Sequence, residues 1–144
     1  MTPDVNVLIY AARPEYKAHA TAVAWFDTAL SGATRAAPLT LLPSVVVGFV
    51  RVVTDRRAHA QPTSTAEALA IVADLLQQPH VRVGAPVDEW PRVVELCERH
   101  ALAGPILSDA WIAASVLQLN EHLVTFDRGF RRLLPPRHLT ILSA

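Results

Sequence analysis

The chain has 144 residues, of which 51% are hydrophobic and 18% are charged, and its 13 basic and 13 acidic residues give a formal net charge of zero. This composition predicts one well-buried domain over residues 1–144, and it excludes a disordered chain and binding driven by a strong overall charge. No apolar stretch reaches the roughly 18 residues of a membrane-spanning helix, and the N-terminus lacks the basic start of a signal peptide. We therefore expect a cytoplasmic protein that does not associate with membranes.

The first part of the chain alternates short extended segments with helices. The predicted elements are an extended start at Thr2–Asp4, helices at Asn6–Ala12 and Lys17–Leu30, a strand at Ala36–Leu39, and a helix at Pro43–Thr54. The last of these is ambiguous, because its β-branched residues also favour a strand. Its polar residues do not alternate, and proline suits the first turn of a helix, so we predict a helix.

The second part continues the alternation. Ser64 and Glu67 form a capping-box pattern that predicts a helix ending before Pro79. The remaining predicted elements are a strand at Val81–Val83, helices at Val87–His100 and Ser108–Leu119, a strand at His122–Phe126, a helical turn at Gly129–Leu133 and a last strand at Leu139–Leu142. Strands that alternate with helices predict an α/β fold, with a mostly parallel sheet and helices on both faces.

Three aspartates lie at boundaries between predicted elements. Asp4 follows the first strand, Asp109 opens a late helix, and Asp127 follows the strand "HLVTF". In a parallel sheet these places meet beyond the carboxyl ends of the strands. Clustered carboxylates repel one another, and Mg²⁺ or Mn²⁺ relieves the repulsion with the hard oxygen ligands that it prefers. A cation so held can polarise a phosphoryl oxygen and activate water, so the expected substrate is a phosphodiester.

Each aspartate also has an ordinary structural interpretation. Asp4 and Asp109 can cap the helices that follow them, and Asp127 can belong to a turn. Taken singly, that interpretation is the stronger one for each residue, although capping does not exclude metal binding. Asn6 and Thr125 are candidates for orienting a carboxylate or a water.

Other chemistries lack their signatures. The sequence has no Walker A loop, dinucleotide-binding glycine pattern, zinc-ligand spacing or serine nucleophile elbow. Arginines are concentrated in two regions near the expected crevice, and the candidates for contacts with an RNA backbone are Arg51, Arg56, Arg128 and Arg131. A solvated surface with salt bridges explains these arginines almost equally well.

Four segments together resemble one known family. The segments "PDVNVLIYA", "FVRVVT", "ILSDAWIAA" and "HLVTFDRGF" are similar to PIN domains, and more narrowly to the mycobacterial-type branch of the VapC toxins of bacterial toxin–antitoxin pairs. The resemblance runs from about residue 3 to the C-terminus. It implies a three-layer α/β/α sandwich and a Mg²⁺- or Mn²⁺-dependent endoribonuclease that hydrolyses phosphodiester bonds in RNA.

The resemblance also implies roles and partners. Asp4, Asp109 and Asp127 match the acidic metal ligands of the family, and Asn6 and Thr125 match its supporting polar positions. The implied partners are an RNA substrate, a cognate VapB-type antitoxin that blocks the site, and a second copy of the chain in a homodimer. On the helix Lys17–Leu30, the adjacent Trp25 and Phe26 point in different directions. We expect one of them in the core and the other partly exposed as an anchor for a partner.

One position departs from the family pattern. PIN domains usually carry a further acidic residue, commonly Glu, where this chain has Gly48. The gap leaves an alternative function, a catalytically weak PIN domain that acts as an RNA- or antitoxin-binding module. We expect Gly48→Glu to tighten Mn²⁺ binding and Gly48→Ala to stabilise the fold. A phospho-acceptor receiver domain is disfavoured, because it needs a lysine near a late strand and the only lysine is Lys17.

Overall fold

The protein, described by a computed structural model over residues 1–144, is built around short parallel strands. The strands are β1 (Thr2–Pro3), β2 (Leu39–Leu41), β3 (Val81–Val83), β4 (Leu123–Thr125) and β5 (Leu139–Ile141). The ladders β1–β4, β4–β5 and β2–β3 are all parallel. The Thr40 backbone N–H donates to the Met1 carbonyl at 2.9 Å, which sets β2 beside β1. This bond joins the two-stranded β2-β3 sheet to the three-stranded β1-β4-β5 sheet, so the strands lie in the order β3-β2-β1-β4-β5.

Six α-helices and two 3₁₀ turns surround this sheet. Their bounds are α1 (Val5–Ala12), α2 (His19–Gly32), α3 (Pro43–Val53), α4 (Thr65–Leu76), α5 (Trp90–His100), α6 (Ile106–Gln118), and 3₁₀ turns at Arg128–Arg132 and Pro136–His138. Helix α1 packs on α2 and α3, and α5 packs on α6. This arrangement confirms the predicted α/β sandwich with a parallel sheet. None of the helices combines the length and the apolar character that crossing a membrane requires.

The ambiguous segment after Pro43 is a helix, as predicted. Its residues Val45, Phe49 and Val53 recur every four positions, and all three are at most 1% exposed. That periodicity places one apolar face against the core, which a strand of the same residues would split between two faces. The predicted cap of α4 is also present, since the Glu67 backbone N–H donates to the Ser64 hydroxyl at 3.2 Å.

Several predicted boundaries differ from the structure by one to three residues; the helix predicted at Lys17–Leu30, for example, spans His19–Gly32. The strand expected at Ala36–Leu39 begins only at Leu39, because Thr34 closes a turn by accepting the Ala37 N–H on its hydroxyl at 3.1 Å. The helix expected from Val87 begins at Trp90, where Pro91 occupies its first turn. Helix α6 begins at Ile106, two residues before the predicted start, and this shift changes the position of Asp109 within the helix.

Candidate active site

The candidate site lies where β1 and β4 end side by side. From β1 the chain proceeds to β2 and β3 on one side of the sheet, whereas β4 and β5 occupy the other side. The gap between β1 and β4 is therefore the topological switch point, where ligands bind in open parallel sheets. Asp4 directly follows β1, Thr125 ends β4, and Asp127 comes two residues later.

Asp4 is the most buried of the three aspartates, with 5% of its surface exposed. One carboxylate oxygen accepts the Val5 N–H at 2.6 Å, so Asp4 caps α1 as its ordinary interpretation predicted. The other oxygen accepts the Thr125 hydroxyl at 2.5 Å and the Asn6 amide at 2.8 Å. Burial raises the pKa of Asp4, while the hydrogen bonds from Thr125, Val5 and Asn6 oppose that shift.

Asn6 and Thr125 connect helix α1 to the end of β4. The side-chain amide nitrogen of Asn6 donates to the Thr125 hydroxyl at 3.0 Å, and the side-chain oxygen Oδ1 of Asn6 accepts the Phe126 backbone N–H at 3.1 Å. The Thr125 hydroxyl, which is fully buried, also accepts the Asp127 N–H at 2.9 Å. These bonds fix the orientation of the Asp4 carboxylate relative to the backbone that carries Asp127.

Asp127 is exposed and caps the 3₁₀ turn that follows it. One of its oxygens accepts the Gly129 N–H at 2.6 Å, so the predicted turn is present. Its other oxygen makes no hydrogen bond to the protein. That free oxygen remains available to a ligand.

Asp109 has no structural partner. Because α6 begins at Ile106 with Pro105 as its N-cap, Asp109 lies in the first turn, and its predicted capping role is wrong. The side chain is half-buried and makes no hydrogen bond or ion pair. Burial, followed by repulsion from Asp4 and Asp127, raises the pKa of Asp109 to about 6. The three carboxylates therefore act on one another electrostatically, and their role as metal ligands stays a prediction.

The donor set fits a hard divalent cation. No basic side chain pairs with Asp4, Asp109 or Asp127, since all five ion pairs of the protein lie elsewhere. The side chains do not form a closed cluster of three or more His, Cys, Asp or Glu ligands. Mg²⁺ does not need one, because it commonly keeps several waters and uses only one or two carboxylates. The free oxygens of Asp109 and Asp127 meet that requirement.

Comparison with known proteins agrees with this geometry. The sequence model of the PIN domain family matches residues 1–133 of this chain. The chain belongs to the PIN domain family. Among its relatives, ribonuclease VapC31 of Mycobacterium tuberculosis is 33% identical over 140 residues, which cover 94% of each chain. Ribonuclease VapC43 of the same organism is 36% identical over 130 residues, which cover 90% of this chain and 86% of the relative.

A solved structure shows the same fold. The crystal structure of VapBC2 from Rickettsia felis, bound to a DNA fragment from its promoter, superposes with a TM-score of 0.66 at 14% identity. The match covers 99% of this chain and 98% of the other. At that identity the likeness establishes the PIN fold and leaves the chemistry to the residues of this chain.

Gly48, where PIN domains usually carry an acidic residue, has a packing reason in this chain. A Cβ atom there would lie 2.8 Å from a methyl carbon of Val5, the residue next to Asp4. Helices α1 and α3 therefore approach too closely for a side chain unless Val5 moves. This contact revises our expectation that Gly48→Ala stabilises the fold. It also gives the glycine a packing reason, while the acidic side chain that PIN domains usually carry there is absent.

The candidate arginines separate into two groups. Arg51, Arg56, Arg128 and Arg131 are all exposed, and none forms an ion pair. Arg128 directly follows Asp127, and Arg51 lines a cleft of about 620 Å³ between α3 and α6 that reaches Ser108, next to Asp109. No contact connects Arg56 or Arg131 with the carboxylates.

Sequence reasoning missed Tyr10, which lies close to the acidic site. Its ring centroid is 5.1 Å from that of Phe126, the residue before Asp127. Burial raises the pKa of Tyr10, and the charges of Tyr16, Asp4 and Asp127 add to the effect. An aromatic residue inside an apolar helix gives no sequence signal of this proximity, because the contact depends on how α1 meets β4.

The expected division between Trp25 and Phe26 is present on α2. Phe26 is buried at 7% exposure, whereas Trp25 is half-buried against it, with ring centroids 4.8 Å apart. One aromatic ring therefore enters the core and the other stays partly accessible. The proposed partner for Trp25 stays a prediction.

Proposed function

We propose that this PIN domain is a metal-dependent endoribonuclease toxin of a VapBC-type toxin–antitoxin system, which hydrolyses phosphodiester bonds in RNA. The observation that carries the proposal is Asp109, a half-buried carboxylate without a partner whose pKa burial and two neighbouring aspartates raise to about 6. An ionisable side chain that has a raised pKa and makes no hydrogen bond or ion pair within the protein is typical of a functional site. The names of the VapC relatives agree with the activity.

The proposed metal is Mg²⁺ or Mn²⁺, held by Asp109 and Asp127 with support from Asp4. When bound, such a cation supplies positive charge to the phosphoryl oxygens and lowers the pKa of a water molecule. Above about pH 6 the Asp109 carboxylate is ionised and able to bind it. The hydrogen bonds from Thr125 and Asn6 hold Asp4 in one orientation, so the protein does not have to rearrange its dipoles during the reaction.

The two arginines that flank the carboxylates, Arg51 and Arg128, are proposed to bind the RNA backbone. Guanidinium groups bind phosphate in a bidentate manner and carry no base specificity in that contact. The proposal for Arg56 and Arg131 is weaker, because nothing connects them with the site. RNA as substrate places the proposed activity in the cytoplasm.

The test is cleavage of total RNA by purified protein with Mn²⁺ and with excess EDTA, compared between wild type and Asp109→Asn. We expect the variant and the EDTA sample to lose activity by about 100-fold or more, because a ligand that stabilises the transition state is removed. Asp74→Asn, an exposed carboxylate on α4, is the matched control and should cleave like wild type. Cleavage in EDTA, or full activity of Asp109→Asn, would contradict the proposal.

We further propose a VapB-type antitoxin as partner, seated on α1, α2 and α4. These helices border an apolar cavity of about 210 Å³, lined by residues that include Leu8, Val23, Phe26 and Ile71. A helix with an apolar face fits such a groove. Co-expression with a candidate VapB-type antitoxin should give a co-eluting complex, and Val23→Arg should abolish co-elution while leaving RNA cleavage intact.

A homodimer is proposed through an apolar patch that borders the cleft lined by Arg51. Val47, Trp90, Leu107 and Trp111 are between 39% and 66% exposed, and the rings of the two tryptophans lie 6.5 Å apart. Exposed patches of this kind mark protein interfaces. Light scattering should show a dimer for wild type and a shift toward monomer for Trp90→Ser. A wild-type monomer at high concentration would exclude the dimer.

A further inference from the structure

A second cavity, of about 480 Å³, opens at Phe126 and Arg128, the two neighbours of Asp127, and none of the three aspartates lines it. Its walls carry three aromatic rings, Tyr10, Tyr16 and Phe126, and its rim carries two cations, Lys17 and Arg128. Cavities of this volume hold small organic ligands.

The three rings contact one another at inclined angles, 35° between Tyr10 and Tyr16 and 60° between Tyr10 and Phe126. The ring centroids of Tyr10 and Tyr16 lie 4.8 Å apart, and those of Tyr10 and Phe126 lie 5.1 Å apart. All three side chains are half-buried, so each ring has one part against the core and another facing the cavity.

The two cations on the rim have no partner within the protein. Lys17 and Arg128 are exposed, and neither forms an ion pair or a side-chain hydrogen bond. By contrast, Arg13 in the same α1–α2 connection is bound to Glu15, Thr63 and the Gln61 carbonyl. Free cations beside aromatic faces match the chemistry of a nucleotide, in which a flat base is joined to a phosphate.

The position of the cavity relates it to the reacting phosphate. Phe126 and Arg128 flank Asp127 in the chain, and Tyr10 lies near enough to Asp4 and Asp127 for their charges to raise its pKa. A nucleotide in the cavity would therefore lie directly beside a phosphate held at the carboxylates.

We propose that this cavity is a nucleotide subsite for single-stranded RNA, in which a base next to the cleaved phosphodiester stacks on Tyr16 and Tyr10 while Lys17 and Arg128 bind its phosphate. The proposal rests on the proposed ribonuclease function and names the form of its substrate. A base that is paired within a duplex cannot enter the cavity, so the subsite selects unpaired RNA over duplex RNA.

The test is fluorescence anisotropy of a short labelled single-stranded RNA of mixed sequence, measured in EDTA so that binding is separated from cleavage. Tyr16→Leu should weaken binding about tenfold, because stacking contributes about 1–3 kcal/mol per base. Tyr16→Phe keeps the ring and should bind like wild type. Tyr16→Leu and wild type should bind a labelled abasic chain, which has the phosphates without the bases, with the same affinity.

The cations are tested separately by the salt dependence of the same binding. Lys17→Ala and Arg128→Ala should each reduce the slope of log affinity against log salt by about 0.7, the value for one phosphate contact on a single strand. Tyr16→Leu should leave that slope unchanged. Arg137→Ala is the matched control, because Arg137 is an exposed arginine near the opposite end of β4, where its carbonyl contacts His122.

The outcomes separate the subsite from the proposed activity. Wild-type affinity for RNA in both Tyr16→Leu and Lys17→Ala would overturn the subsite, whether or not the wild type cleaves RNA. A different outcome is that both variants bind RNA more weakly than the wild type, and the wild type does not cleave RNA with Mn²⁺. This outcome would support the subsite and contradict the proposed ribonuclease activity. Equal affinity for duplex and unpaired RNA would also overturn the subsite. Thermal unfolding of Tyr16→Leu checks that the variant is folded.

Discussion

Two buried carboxylates lie at opposite ends of the same parallel sheet, and their surroundings differ. Glu121 precedes β4 with its side chain 10% exposed, and it is paired with the amino group of Met1 at 2.8 Å and the Thr40 hydroxyl at 2.6 Å. At the other end, Asp4 has only neutral donors around it, and Asp109 has no partner at all. Buried charges are normally paired, so the charge at the Glu121 end serves the structure.

The difference shows where the protein keeps uncompensated charge. At the Glu121 end the exposed Arg82 adds a further cation at 4.0 Å, whereas the aspartates repel one another and none of them forms an ion pair. Natural sequences place such local conflicts at functional sites. The contrast predicts that substitutions at the aspartate end mainly change metal binding, whereas substitutions at the Glu121 end mainly change the free energy of unfolding.

The largest expected effect is on metal binding by Asp109. Loss of a group that merely supports a ligand costs 10–100-fold in metal affinity, so loss of a direct ligand in Asp109→Asn should weaken Mn²⁺ binding by about 100-fold. Calorimetry measures it, with Glu121→Gln as the control at the other end of the sheet. The wild-type affinity should also fall as pH drops below about 6, where Asp109 takes up a proton. An unchanged affinity would remove Asp109 from the metal site.

The next largest effect is on stability at Glu121. Glu121→Ala removes a charge-assisted hydrogen bond and leaves the buried Thr40 hydroxyl without its acceptor, so the free energy of unfolding should fall by about 2 kcal/mol. Urea denaturation measures this loss. Arg82→Ala is the control and should cost less than about 0.5 kcal/mol, because its contact is long and its side chain is exposed. RNA cleavage should persist in both variants. Loss of cleavage in a folded Glu121→Ala would break the proposed contrast.

A smaller effect concerns stability against pH. The pKa of Asp109 in the folded state is about 6, above its ordinary value of 3.8, so protonation favours the folded state. Its contribution is fully present below about pH 3.8 and is lost as pH rises through about 6. In metal-free protein at about pH 8, Asp109→Asn should be more stable than wild type by about 1 kcal/mol, after allowance for solvent screening of a half-exposed group.

The comparison of these two proteins at about pH 4 checks the assignment. There the wild-type side chain is largely protonated, so the advantage of the variant should disappear. An advantage that persists at low pH would indicate a packing effect of the amide.

The smallest expected effect is at Gly48, and it tests whether packing or ligation explains the glycine. Alanine favours a helix over glycine by about 0.5–1 kcal/mol, but here its Cβ would lie 2.8 Å from Val5. We expect Gly48→Ala to lose about 0.5 kcal/mol in the wild-type background and to gain about as much in Val5→Ala. Urea denaturation of the four proteins measures the coupling. Additive effects would mean that Val5 does not exclude a side chain at position 48.

Local signals predicted most of the fold. Pro43 and the absence of alternating polar residues identified α3, and the capping box at Ser64 identified the start of α4, because such signals act within one or two helical turns. The predicted boundaries failed where a turn or a proline competed, as at Ala36–Leu39. The cap assigned to Asp109 failed for a related reason, since Pro105 allowed α6 to begin earlier than the polar residues indicated.

The sequence by itself determined the order of the elements and the aspartates at their boundaries, since these depend on neighbours in the chain. Only the tertiary structure decided that Asp4 accepts a hydrogen bond from Thr125, 121 residues away, and that Asp109 is left without a partner. It also brought Tyr10, Tyr16 and Phe126 around one cavity and placed Val5 against Gly48. These features follow from the strand order, which sets β1 beside β4, and burial and repulsion between distant residues exist only once the sheet has formed.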